Sequence, residues 1–310
     1  MKLATIDIGT HSVLLLITEK NQSGAIISIA DEATLTRIGE GMGSHNIFVT
    51  AGMERTLAVL KKYKTICDKH GVKKIIAVGT AAFRKAGNAK EFVAQVQKEC
   101  GIAIEIISGE REAALTWRAA STDFGNDIVV VDIGGGSTEI IEYDRTMVRS
   151  CDGKKTKCIS LPIGSVILTE QFCHSDPISD HDYKNLKSQI TKALKNYRTI
   201  VPSYNRTLIA TAGTATTLGA IQKKMTTYKH AEIHGSKLTL QELKKIIADL
   251  KSKTIAERKK IAGLEPGRAD VILAGATLLE KIASHFSAKE ITVSDRGVRW
   301  GLVYETQIES

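Results

Sequence analysis

The sequence predicts an α/β protein of two duplicated lobes with a cleft between them, and three observations lead there. The first lies near the middle of the chain. The apolar, β-branched run Ile128–Val131 passes through Asp132 into Gly134-Gly135-Gly136, and a second apolar run follows at Ile140–Ile141. β-branched residues favour a buried strand and successive glycines a tight turn, so this is strand, turn, strand. The second observation is that the pattern occurs twice. Leu3–Ser12 reads LATIDIGTHS before the apolar run Val13–Ile17. Placing Asp7 on Asp132 also places Ile8 on Ile133, Gly9 on Gly134 and Ser12 on Ser137. The third is the alternation of strand-like and helix-like segments from residue 70 onward. A chain of 310 residues is long enough for two domains. The expected boundary gives residues 1–124 and 125–310, with a closing helix at about 297–310 packing back on the first lobe.

In chain order, Ile26–Ala30 and Ala33–Ile38 read as two further strands and residues 39–43 (GEGMG) as a loop. Met53, Leu57, Leu60 and Cys67 recur near helical spacing, and Gly71 stops that helix. Lys74–Val78 is a strand. Asn88 with Glu91 reads as a capping box for a helix ending before Gly101. Ala103–Ile107 is the next strand, and Ser108-Gly109 turn into a helix with Glu110 and Glu112 in its first turn. A linker is expected at Asp123–Asp127. Beyond the glycine turn come strands around Thr146–Ser150 and Lys157–Pro162, a basic solvated tip at Asp152–Lys157, and helices to about Thr199. Leu208–Thr211 is a strand feeding a helix opened by Gly213–Thr217. Thr239 with Glu242 and Thr254 with Glu257 form two more capping boxes. Residues 268–284 read as a long helix, Glu290–Ser294 as the last strand and Arg296–Glu309 as the closing helix.

Composition narrows the function. Net charge is +9, which suits a polyanionic partner, but aromatics are only 5%, which weighs against base stacking. No nucleic-acid partner is expected. The apolar runs are far too short to span a bilayer, and Asp7 interrupts the only stretch that could be a secretory signal. Cys67, Cys100, Cys151, Cys158 and Cys173 form no CxxC pair. An odd, scattered set fits reduced thiols and a cytoplasmic setting.

Three glycines in a row let backbone N–H groups converge, and the hydroxyls of Ser137 and Thr138 flank them, an arrangement suited to a phosphate oxyanion. Asp132 and Glu139 add oxygens of the kind Mg²⁺ accepts beside phosphate, with Asp7 a weaker third candidate. A ligand-free glycine hairpin is the bland alternative, and the second copy of the motif argues against it. There is no GxxxxGK[ST] string, and no GxGxxG opens a helix here. The helix start at Gly213 and Thr214 suits either an anion or a simple N-cap.

DIGTHS at Asp7–Ser12, GTAAFR at Gly79–Arg84, ISGEREAAL at Ile107–Leu115 and DIGGGSTE at Asp132–Glu139 form an ordered set. It continues with LPIGSV at Leu161–Val166, AGTATTL at Ala212–Leu218, GRADVILAG at Gly267–Gly275 and SDRGVRWG at Ser294–Gly301. Together they resemble the exopolyphosphatase and guanosine pentaphosphate phosphohydrolase (Ppx/GppA) family, across essentially the whole chain. The resemblance implies actin-like (ribonuclease H-like) lobes and hydrolysis of the terminal phosphate of inorganic polyphosphate, with pppGpp as the alternative substrate or a second one. It implies Glu112 as the residue that orients the attacking water and takes its proton; without the motif, Glu112 would read as a favourable charge at a helix N-terminus. Glu110 keeps that bland role. Arg84 matches the phosphate-clamping arginine. The cradle is Gly9, Thr10, His11, Ser12, Gly134, Gly135, Gly136 and Ser137, with Gly213 and Thr214 beside it, and both turns are expected to face one phosphate chain. The cation would be Mg²⁺, or another divalent ion, on Asp132, Glu139 and Asp7. A homodimer follows by family analogy. Asp295 and Arg299 are read as structural pins. Departures are His11 where asparagine is usual, Phe83 for leucine, and no additional helical domain of the long family forms. An ATP-dependent kinase or a non-catalytic phosphate sensor are the competing classes.

Overall fold

The computed structural model describes residues 2–143, 156–195 and 206–308. The expected strand Thr146–Ser150, most of the tip Asp152–Lys157 and the helical stretch 196–199 lie outside the described residues. The chain divides into two compact units, residues 1–119 with 298–310, and residues 120–297.

In the first unit, β1 (Leu3–Ile8), β2 (Ser12–Lys20) and β3 (Ile26–Leu35) form an antiparallel meander. Beside β1, β4 (Lys74–Gly79) and then β5 (Ile104–Ile106) add in parallel, giving the order β3-β2-β1-β4-β5. β1 is buried on both faces because helices cover this sheet from each side, although one face carries Thr5 and Asp7. Its Ile6 and Ile8 pack with Leu15, Leu60 and Phe92 under α1 (Thr50–Lys69) and α3 (Ala89–Cys100). Leu3 and Leu16, on the other face, meet Trp300 and Val303 of α12 (Val298–Ile308).

The second unit repeats the plan. β6 (Ile128–Ile133), β7 (Thr138–Tyr143) and β8 (Thr156–Leu161) form the meander, and β9 (Thr207–Thr211) and β11 (Glu290–Val293) add in parallel beside β6. β10 (Lys237–Thr239) closes the edge, for an order β10-β11-β9-β6-β7-β8. Val129, Val131 and Ile291 pack on α6 (Asp180–Lys195), α9 (Leu240–Ser252) and α11 (Ile272–His285) through Ile190, Leu243 and Leu279. Two sheets with one shared strand plan are the α/β, duplicated architecture that the sequence anticipates.

Thr239 and Thr254 both form complete capping boxes, opening α9 and α10 (Ile255–Arg258). Three expectations need correction. Residues 26–35 are one strand rather than two, with a bulge at Ile29. The charge of Asp31, in the gap between the two expected strands, is paired with Arg299 of α12 and so tolerated mid-strand. Asn88 does not cap α3; its amide bridges the backbone N–H and carbonyl of Phe48 at 2.9 and 3.0 Å. The long helix starts at Ile272, not 268, because Pro266–Arg268 form a short 3-10 turn and the Asp270 carboxylate accepts from the Val271 N–H.

Candidate active site

Parallel strands end at the same edge of a sheet, which is where α/β folds bind ligands. In the first unit Ile8 is level with Gly79, and Gly79 with Ile106. Strands lie about 4.8 Å apart, so the segments that leave β1, β4 and β5 share one short edge. The Thr80 N–H donates to the Ile8 carbonyl at 3.2 Å, and the Ile107 N–H to the Gly79 carbonyl at 3.1 Å. Beyond these bonds come the first glycine turn, α2 (Ala81–Lys85) carrying Arg84, and α4 (Gly109–Phe124) carrying Glu112.

The two glycine turns close with the same hydrogen bond. The Gly9 N–H donates to the Ser12 carbonyl at 2.9 Å, and the Gly134 N–H to the Ser137 carbonyl at 3.0 Å. Each turn is then tied from behind. Thr10 O accepts from Gly39 N–H, and His11 O from Thr36 and Arg37. In the second unit, α5 (Ser165–Phe172) aims its first amides at the turn: Ser165 donates to Gly134 O, Val166 and Ile167 to Gly135 O. In a trans peptide the C=O and the following N–H point in opposite directions. Anchoring these carbonyls therefore turns the amides of His11 and Ser12, and of Gly135 and Gly136, to the other side of each turn. Gly39 and Gly164 occupy equivalent places: a Cβ would lie 2.3 Å from the Thr10 side chain or 2.5 Å from the Gly135 carbonyl. A nest of inward amides thus follows from backbone geometry.

Glu112 sits in the first turn of α4, and its carboxylate meets Arg84 Nη1 at 2.6 Å. The same Nη1 donates to the Ile107 carbonyl at 3.1 Å. Both groups are largely buried, with the Glu112 side chain 12% exposed. Glu110, by contrast, is exposed, and its carboxyl is held below the usual range by its own amide, with help from Ser108. It caps the helix.

Asp7 is half-buried as a residue, yet its Oδ1 is fully buried with no hydrogen-bond partner among the described residues. Burial pushes its pKa up to about 6, against the opposing pull of Arg299. Arg299 is itself buried, pulled down to about 10 by desolvation, paired with Asp31 and donating to the Leu15 carbonyl at 3.4 Å. A buried acceptor without a donor is the environment a cation relieves. In the second unit Asp132 stands directly across from Glu139 on adjacent strands, two like charges on one face. Glu139 is 2% exposed and accepts from the Ser160 hydroxyl at 2.8 Å. Both donor sets fit a hard divalent cation.

The remaining hydroxyls part company. Ser137 lies within its turn and is buried. Thr138 donates to the Ile163 carbonyl at 2.8 Å, so it ties β7 to the following loop rather than flanking the nest. Thr214, expected as a phosphate contact, is buried with its side chain packed on Gly275 of α11, where a Cβ would lie 2.7 Å from its Oγ1. Its hydroxyl is thereby directed into the core. Gly213 behaves differently. It begins α7 (Ala212–Gln222) after Ala212 at φ +66°, and the Arg268 guanidinium lies over it, 2.1 Å from where a Cβ would be. A guanidinium at a positive helix end is electrostatically opposed, and the Glu265 carboxylate, which meets Arg268 Nε at 3.2 Å, offsets that charge. Sequence reasoning missed Arg268, although it stands in the quoted GRADVILAG stretch. The Asp295 carboxylate, read from the sequence as a structural pin, accepts from Tyr228 at 2.9 Å and pairs closely with His230.

Among the described residues no helix is long and apolar enough to cross a membrane. The profile described as the Ppx/GppA phosphatase family matches residues 16–309. The chain is 34% identical, over 97% of its length, to a bifunctional 3-dehydroquinate synthase/phosphatase of Fusobacterium nucleatum, and spans 46% of that protein. It is 32% identical to Exopolyphosphatase 2 of Mycobacterium tuberculosis, covering 97% of each chain. Of solved structures, the Aquifex aeolicus Ppx/GppA member superposes with TM-score 0.81 at 33% identity, over 100% of this chain and 98% of that one. A Cytophaga hutchinsonii exopolyphosphatase gives 0.88 at 27% identity, over 100% and 98%.

Proposed function

The chain belongs to the Ppx/GppA phosphatase family, and we propose that it is an exopolyphosphatase, releasing the terminal phosphate of inorganic polyphosphate by attack of water. The observation that carries this reading is the Glu112–Arg84 pair on the strand edge that also bears the first glycine turn. A phosphoanhydride hydrolase works mainly by positioning and charge stabilisation. Glu112, fixed by Arg84 and by the start of α4, holds the attacking water and takes its proton. Arg84 spends one nitrogen on Glu112 and Ile107 O, and the rest of its fork clamps phosphate oxygens. The amides of His11 and Ser12 and of Gly135 and Gly136 bind phosphate oxygens, each turn within its own unit, while the Gly9 and Gly134 amides close the turns. His11 takes part through its backbone, since its side chain is buried. Gly213, with Arg268 over it, binds a further phosphate.

In the second unit Asp132 with Glu139 would hold a divalent cation, for which we take Mg²⁺, and in the first unit Asp7 offers a carboxylate for one; when bound, such an ion neutralises phosphate charge and polarises the P–O bond. The described cysteines Cys67, Cys100, Cys158 and Cys173 are free thiols, which supports a reducing, cytoplasmic setting. The same reading includes a homodimer and no nucleic-acid partner. pppGpp offers the same terminal anhydride, and with it a place in the stringent response, so the deciding experiment runs both substrates. Phosphate release from long polyphosphate, pppGpp and ATP is measured in parallel, with Mg²⁺ or with EDTA. The expected result is fastest release from polyphosphate, abolished by EDTA. Release from pppGpp alone would make the chain a nucleotide phosphohydrolase, and a phosphorylated acceptor formed from ATP would make it a kinase.

A further inference from the structure

The glycine turn of the second unit is tied by the first turn of a helix, but that of the first unit is tied by a four-residue loop, Thr36–Gly39. A loop needs its own support, and one side chain supplies it. Arg55 of α1 donates Nε to the Thr36 carbonyl at 2.8 Å and Nη2 to the Arg37 carbonyl at 3.3 Å. Its Nη2 also reaches the Glu40 carboxylate at 2.9 Å, whose other oxygen faces Arg37 Nη1 at 3.5 Å. Arg37 is held at φ +50°, a left-handed conformation that a non-glycine residue keeps only where its surroundings enforce it. One turn earlier in α1, Gly52 seats its backbone on the loop, with a Cβ position 3.3 Å from the Ile38 carbonyl. α1 therefore grips the loop at two points, while the loop amides grip Thr10 O and His11 O.

We propose that Arg55 is a positioning residue for phosphate binding: acting through Thr36–Gly39, it sets the direction of the His11 and Ser12 amides. The inference rests on the phosphohydrolase reading above, and it adds a residue that touches no substrate. The planar fork reaches these acceptors from two nitrogens in fixed directions, Nε and Nη2; a lysine ammonium has three donors but on a single atom, and lacks that fixed spread. Cradle amides hold phosphate in both the ground and the transition state, so loosening them raises KM and leaves kcat largely in place.

The test compares Arg55→Ala, Arg55→Lys and Gly52→Ala with the parent protein. Amide exchange is read without substrate over the peptide containing Gly9–Ser12 and, as control, over β4. Steady-state kinetics use long polyphosphate, and polyphosphate binding is measured in a Glu112→Gln background where turnover does not interfere. Arg55→Ala is expected to speed exchange in the turn but not in β4, and to raise KM about tenfold with kcat within about twofold. Arg55→Lys should fall between it and the parent. Equal exchange in the turn and equal KM would overturn the proposal, as would faster exchange in β4 to the same degree, which marks a merely structural arginine. A parent protein that releases no phosphate overturns the functional reading instead, because the exchange comparison still decides the latch.

Discussion

At the scale of single residues, the site keeps charges where a stability optimum would not. Asp7 is the clearest case, with a buried oxygen that lacks a donor and a pKa raised by desolvation to about 6. The folded protein thus holds this proton more tightly than the unfolded chain, whose aspartates titrate near about 4. Folding is favoured by the protonated form at low pH, and the cost of the ionised carboxylate is fully present above about 6. Asp7→Asn should therefore raise Tm in EDTA at pH 7.5, with the gain shrinking as pH falls through 6 and vanishing near about 4, while phosphate release is lost. A Tm gain independent of pH would show that the carboxylate is not the source. Ala212 is a second strained position, at φ +66° where the chain enters α7. Relieving a left-handed alanine is worth about 1–2 kcal/mol, partly offset by the backbone entropy of glycine, about 0.5–1 kcal/mol. Ala212→Gly should leave stability equal or up to about 1 kcal/mol higher by urea denaturation.

Elements are joined by close backbone contacts more than by caps. α12 crosses α4 at Gly301, where a Cβ would lie 2.2 Å from the Leu115 carbonyl, a backbone atom that cannot step aside. Gly301→Ala should cost about 3 kcal/mol or more, as overpacking against backbone does. Thr239→Ala removes a capping box from α9 and should cost only about 1 kcal/mol. Urea unfolding of both variants checks the order; a milder loss for Gly301→Ala would mean that the helices can separate there without penalty. The same contrast explains what was legible in the sequence. Capping boxes at Thr239 and Thr254 formed because both partners are three residues apart. Asn88 carries a similar local signal, but Phe48, 40 residues away, claims its amide.

For the molecule as a whole, duplication made the architecture readable. The Asp–Ile–Gly pattern recurs with a serine three residues beyond the glycine, and both copies close with the same Gly-to-Ser hydrogen bond. Each also lies beside a glycine, Gly39 or Gly164, that repetition alone would not have flagged. Failures share one physical cause, a distant partner that overrides a local preference. Asp31 stays in a strand because Arg299, 268 positions later, neutralises it. Thr214 points inward because Gly275 leaves room for it. Arg268 carries no periodic or spacing signal of its own; the fold alone brings it over Gly213. Charge is the other whole-molecule property. With a net +9, capture of long polyphosphate should weaken steeply between 50 and about 300 mM salt, and that of pyrophosphate much less. Parallel KM measurements decide it; equal salt sensitivity would mean that no extended basic surface contributes.

The most direct measurement is phosphate release from long polyphosphate by Glu112→Gln beside the parent protein, with polyphosphate binding measured on both. The account predicts that turnover falls by about 10²–10⁴ while binding and Tm stay close to the parent values. Turnover within a few-fold of the parent, in a variant that folds and binds normally, would contradict the assignment of Glu112 as the base.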